Sequence, residues 1–196
     1  MIGSLPQSIQ IGAEEHDLRS DYRDVLQVFE AFSDPELEQG EKWIVALYLL
    51  IEPFSCADDV FGAAENGFDI EEAVKQIVWF ISAGKELGDK KEPPLYDWLQ
   101  DEQMIFSAVN KVAGRETRSD EYIHWWTFLG WFNGIGEGDF SFVVGIRNKL
   151  NKKKKLEKHE QEYLNSYKEV VELKKRIYKE ELEVKDHYKE VWRNLV

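Results

Sequence analysis

The sequence predicts an all-α protein: a compact multi-helix body followed by a long amphipathic C-terminal helix. Three observations carry this. Every strong apolar period along the 196 residues is helical. Capping residues and glycine or proline breaks punctuate those periods at helix-length intervals. From about residue 150 a seven-residue apolar repeat runs on, with no Gly or Pro inside 152–196. Residues 1–18 show no such period and are expected to form a flexible N-terminus. The helical body is then 19–149, and the basic amphipathic helix 150–196.

The first helix is "SDYRDVLQVFEAF", which sets Tyr22, Leu26, Phe29 and Phe32 along one stripe with Ser20 or Asp21 as N-cap. The second opens at "SDPELEQGEKW", where Pro35 suits a first helical position. It continues as "KWIVALYLLI", apolar nearly all round and therefore buried, until Pro53. "NGFDIEEAVKQIVWFISAGKE" is the clearest helix. Asp69 caps it, Glu71 and Glu72 occupy the first turn where the helix dipole favours acids, and Gly84 follows its end. Ile70, Val74, Ile77, Val78 and Ile81 are its expected buried face. "PLYDWLQDEQMIFSAVNKVAG" is the next helix, with Trp98, Ile105, Phe106 and Val109 inward and Gly114 closing it. "DFSFVVGIRNKL" reads as a short helix or an extended segment; its period does not separate the two.

Beyond residue 150, Leu156, Tyr163, Val170, Ile177, Val184 and Val191 recur every seven residues, and Trp192 widens the stripe. The pattern describes one helix of about 40 residues, roughly 60 Å long, or two helices with an unmarked break. A helix that long outruns a body of this size. Its stripe either meets a partner or folds back across the body, and Tyr163, Val170, Ile177, Val184, Val191 and Trp192 are the candidate self-association or partner-contact residues.

Charge divides the chain unevenly. Residues 1–146 carry 10 Lys and Arg against 28 Asp and Glu, whereas 147–196 carry 15 against 10. An acidic body disfavours nucleic-acid binding, which depends on neutralising phosphates. With 43% apolar and 13% aromatic residues the chain can build a core. Cys56 is the only cysteine, which excludes an internal disulfide and a cysteine-cluster zinc site and suits a reducing compartment. No stretch approaches the roughly 20 apolar residues of a membrane span, so a cytoplasmic location without membrane contact is expected.

Motifs for chemistry are weak throughout. "GIGEGD" has phosphate-loop glycines, but no strand precedes it, no Lys-Ser/Thr follows, and Glu137 and Asp139 repel phosphate; it reads as a flexible linker. His16, His124, His159 and His187 fall in no metal-binding pair. Asp97 and Asp101 share a helix face but lack a Glu-x-x-His companion, so they read as surface carboxylates. No catalytic residue, metal or cofactor is expected. "DEYIHWWTFLGWFNG" starts a helix from Ser119 or Asp120 and gathers Tyr122, Trp125, Trp126, Leu129 and Phe132 on one broad side. His124, Phe128 and Trp131 point the other way, as core or as an aromatic contact face.

The order of "SDYRDVLQVFEAFSDPELEQGEK", "AVKQIVWFISAGKE", "LYDWLQDEQMIFSAV", "EYIHWWTFLGWF" and "FSFVVGIRNKL" resembles the bacteriophage Gp-fifteen family of tailed phages and prophages, over roughly residues 18–175. Four units carry the likeness together: Asp21 to Asp24; Trp79, Phe80, Gly84 and Lys85; Leu95 to Asp97; and His124 to Phe128. The resemblance implies a tail-module protein whose activity is binding, not chemistry. On that likeness the chain is a non-enzymatic assembly chaperone for the tape-measure protein, working as a homo-oligomer in the cytoplasm of the bacterial host. A structural virion component of the tail or neck is the other class it leaves open. The heptad repeat beyond residue 175 lies outside the likeness.

Overall fold

The computed structural model describes residues 3–85 and 93–174. They are mostly helical, with one small sheet. The chain packs as two compact units, whose described parts are 3–85 with 124–126, and 93–123 with 127–174.

In the first unit, β1 (Ser8–Ile11) and β2 (Glu14–Asp17) form an antiparallel hairpin, in register from Ser8 opposite Asp17 to Ile11 opposite Glu14. Gly12, at φ 59°, supplies the left-handed residue of its two-residue turn. Ile9 and Ile11 alternate with polar residues and are both buried. The N-terminus is thus an ordered hairpin at residues 8–17, not the flexible lead expected. Two isoleucines set two apart were its only apolar signal.

Helix α1 (Tyr22–Ser33) is capped by Asp21, whose carboxylate accepts from the Arg23 amide at 2.9 Å. It buries Tyr22, Val25 and Val28. Helix α2 (Gln39–Leu50) begins four residues beyond Pro35, because Glu38 and Glu41 cap its start reciprocally. It packs on α1, with Phe32 edge-on to Trp43 at 4.6 Å. Helix α3 (Ala57–Glu65), which the apolar pattern does not mark, buries only Val60. Asp59 organises its start by accepting from the Ser55 amide and hydroxyl, and these bonds hold the Asp59 carboxyl below its usual range. Helix α4 (Ile70–Ile81) has the expected Asp69 cap, 2.9 Å from the Glu72 amide. Its buried face is Ala73, Ile77 and Phe80, which shares only Ile77 with the expected stripe.

The second unit opens with a turn in which the Asp97 carboxylate accepts from the amides of Leu99 and Gln100 at 3.0 and 2.7 Å. Helix α5 (Glu102–Ala113) therefore begins later than the sequence pattern places it, and ends on Gly114 at φ 71° as expected. A 3₁₀ turn (Thr117–Ser119) follows. Helix α6 (Trp125–Asn133) starts only at Trp125 and passes from the first unit into the second. Helix α7 (Asp139–Asn151) resolves the ambiguous segment as helix and buries Phe140, Val143 and Ile146. Tyr96, Trp98, Phe132 and Phe140 form an aromatic cluster in this unit, with Trp98 and Phe132 4.8 Å apart between ring centres.

No single helix starts at residue 150. Helix α7 stops at Asn151, and Lys153 takes a left-handed φ of 51°. Helices α8 (Lys158–Ser166) and α9 (Lys168–Val171) follow, separated at Tyr167. Four consecutive lysines at the end of α7 suit its dipole, and Glu157 with Glu160 caps a new start, so local capping interrupts the heptad period. Ile177, Val184, Val191 and Trp192 lie outside the described residues.

Candidate functional site

His124, Trp125 and Trp126 bind the first unit together through its backbone. Residue 124 pairs with Asp21 in an isolated antiparallel bridge, and the Trp125 amide donates to the Ser20 carbonyl at 2.7 Å. The His124 Nδ1 accepts from the Trp126 amide at 3.0 Å, which leaves Nε2 as the N–H that donates to the Pro6 carbonyl at 2.8 Å. Burial lowers the pKa of this histidine, so the neutral ring is the resting form. Both ring nitrogens are committed to backbone, which suits anchoring rather than proton transfer.

The two indoles close the end of α4. Trp125 Nε1 donates to the Ile81 carbonyl and Trp126 Nε1 to the Phe80 carbonyl, each at 2.8 Å. The last four carbonyls of a helix have no partner within it, so these bonds meet a need that every helix end has. Trp79 packs edge-on against Trp126 at 5.4 Å. Gly84, at φ 73°, folds the chain past Trp79, where a Cβ would stand 3.3 Å from the indole nitrogen.

A second polar cluster lies inside the second unit. Arg147 is 4% exposed and Asp101 1%. Arg147 Nη1 and Nη2 donate to the two oxygens of Asp101 at 2.6 and 2.9 Å. The guanidinium also donates to the carbonyls of Val171, Val170 and Leu95, at 2.7, 2.7 and 3.0 Å. Asp101 is therefore no surface carboxylate. Gln100 extends the hold on this segment by donating to the Glu172 carbonyl and accepting from the Lys174 amide, both at 2.9 Å.

Of the aromatic face expected on α6, His124 and Phe128 are buried at 2% and 0% exposure. Trp131 is half-buried, with the Arg115 guanidinium 5.4 Å from its ring centre. Tyr163 is half-buried against Phe142 and Tyr167, at 5.1 and 4.8 Å. Val170 is half-buried and gives its carbonyl to Arg147. Thus Tyr163 and Val170 come together in one unit, while the four later residues of that stripe are not described.

One open feature among the described residues of the second unit was not singled out in the sequence. A groove of about 640 Å³ runs along α5. One wall is formed by Met104, Ala108 and Val112, at i, i+4 and i+8, and Val112 is 40% exposed. The other is the loop Ile135 to Asp139, the glycine-rich stretch read as a linker. Lys111 stands on the helix side, Glu137 and Asp139 on the loop side. A second stripe beside the core stripe of α5 was the available signal. Its alanine, flanked by Ser107 and Lys111, made that stripe look like ordinary surface.

The model of one protein family, Bacteriophage Gp15 protein, matches residues 1–173. The chain belongs to the bacteriophage Gp15 family. No curated protein and no solved structure matches it. The match takes in the N-terminal hairpin and stops within two residues of the last one described, so the Gp15 region includes α8 and α9 and excludes most of the later heptads. Residues of the units that resemble the family help build the two clusters: Asp21, Phe80, Gly84 and the His-Trp-Trp run in one, and Leu95, whose carbonyl accepts from Arg147, in the other. Among the described residues of this Gp15 chain, no helix is long and apolar enough to cross a membrane. No group of three or more His, Cys, Asp or Glu is placed to hold a metal ion among them.

Proposed function

We propose that this Gp15-family chain is a non-enzymatic tail-morphogenesis protein, an assembly chaperone that binds the tape-measure protein and self-associates. The carrying observation is the groove on α5: an apolar surface at helical spacing, open to solvent and rimmed by charge. The buried polar groups described above, His124 in the first unit and the Arg147–Asp101 pair in the second, are engaged in holding backbone. A long amphipathic helical partner exposes apolar stripes that aggregate unless covered, and helix-in-groove packing covers them. The acidic body keeps such a complex soluble.

Co-expression with the tape-measure protein of the same phage tests this. A soluble complex that co-purifies at fixed stoichiometry is expected, and tape measure that stays insoluble in its presence refutes the reading. Mass spectrometry of purified virions separates the alternative, because abundant chain in mature particles assigns it to the structure of the tail or neck.

A further inference from the structure

We propose that the α5 groove is the docking site for one amphipathic helix of a partner protein, a helix with an apolar stripe that sets a lysine or arginine flank against Glu137 and Asp139. This rests on the binding function above and adds the surface and the chemistry that would recognise the partner.

Helix α5 carries two apolar stripes. Ile105, Phe106 and Val109 fill the core of the unit, while Met104, Ala108 and Val112 line the groove. Met104 to Val112 spans about 12 Å, roughly two turns, which matches three side chains at i, i+4 and i+7 on a facing helix. Ala108 lies midway, and a small residue there lets a second helix approach closely. The opposite wall is bare: a Cβ built on Gly136 or Gly138 would meet nothing within 4 Å.

The rim decides the occupant. With Lys111 on one edge and two carboxylates on the other, a helix with opposite charges on its two flanks fits in one direction only. Exposed rim pairs add little affinity, but like charges set opposite one another penalise the reversed direction and the wrong partner. A second copy's acidic body, with 28 acidic against 10 basic side chains over residues 1–146, is a poor occupant for the Glu137–Asp139 edge. Its residues 147–196, with 15 basic against 10 acidic, are the copy-borne occupant that the self-association arm of the test separates from a partner protein.

The test uses the full chain and two fluorescein-labelled 18-residue helical peptides with the same apolar stripe. One carries lysines on one flank and glutamates on the other; its partner peptide carries glutamates on both. Anisotropy should show saturable binding of the first and at least roughly tenfold weaker binding of the second. Gly136→Leu, whose Cβ has open space within 4 Å and whose bulk is added at the loop wall of the groove, should weaken the first peptide at least roughly tenfold while leaving the melting curve in place. Absence of binding by the first peptide, or binding that Gly136→Leu does not change, overturns the proposal. Self-association abolished by Gly136→Leu also overturns it, by assigning the groove to a second copy. Co-expression keeps the two levels apart. A tape-measure complex that survives Gly136→Leu sinks the groove and spares the function, whereas no complex with the unaltered chain sinks the function.

Discussion

Replacing Arg147 with methionine should cost this protein about 3–5 kcal/mol, since it removes one partner of a buried ion pair. The magnitude follows from what is left behind. Asp101, 1% exposed, loses both guanidinium bonds, and the carbonyls of Leu95, Val170 and Val171 lose their donors together. The Asp101 charge, buried without a cation and left with the Asp97 amide at 3.0 Å, accounts for more of the loss than the three orphaned carbonyls do. Against a domain stability of about 5–15 kcal/mol the loss is large, and it corresponds to a drop of about 10 °C in melting temperature. The damage should also have a place. Residues 170–174 are held by Arg147 and Gln100, so amides of this segment should exchange with solvent faster well before global unfolding. Urea titration followed by tryptophan fluorescence gives the energy, and hydrogen exchange gives the location. Asp101→Leu combined with Arg147→Met should be less harmful than the sum of the two single changes by about 2 kcal/mol or more, because the apolar pair leaves no charge stranded. Additive losses, or an Arg147→Met cost under about 1 kcal/mol, would refute the assignment of this pair as the lock of the second unit.

Three further outcomes follow from the first unit. His124 has a lowered pKa in the folded chain, so unfolding takes up a proton once the pH falls below the ordinary value of about 6.5; the stability it contributes is present above that pH and lost as pH falls through the folded pKa, by at most about 1.4 kcal/mol per pH unit. Denaturant titrations between neutral and mildly acid pH should show this slope, and His124→Gln should flatten it; an unchanged slope assigns the effect to other groups. Gly84→Ala should cost about 1–2 kcal/mol in the same titration, since φ 73° strains an L residue and its Cβ crowds Trp79. Trp126→Phe removes the indole N–H from the Phe80 carbonyl, which keeps the Ala83 amide at 3.1 Å, and should cost about 0.5–1.5 kcal/mol, with faster amide exchange at the end of α4; protection there equal to the parent chain contradicts its role as a helix-end donor.

What the sequence determined by itself about this protein is what lies within a few residues. Asp69 caps α4, Gly114 closes α5, and the charged first turn of α4 sits where the helix dipole wants it, all legible because a cap and its helix are neighbours in the chain. The family was legible for a related reason: its units are short runs whose spacing survives in the linear order. Tertiary structure alone decided where the polar groups go. Asp101 looked like one of a surface pair, yet it meets Arg147, 46 residues away. The Trp126 indole could have faced a partner, yet it donates to Phe80, also 46 residues away. The heptad period past residue 150 described one helix or two with an unmarked break, but Glu157 and Glu160 cap α8, the chain breaks again at Tyr167, and Arg147 takes the carbonyls at the end of α9. The groove belongs to this second class. Its apolar wall is written in α5, but only the return of the chain at Ile135 to Asp139 leaves that wall open beside carboxylates, because burial and pairing are set by what the fold brings opposite a residue, not by what precedes it.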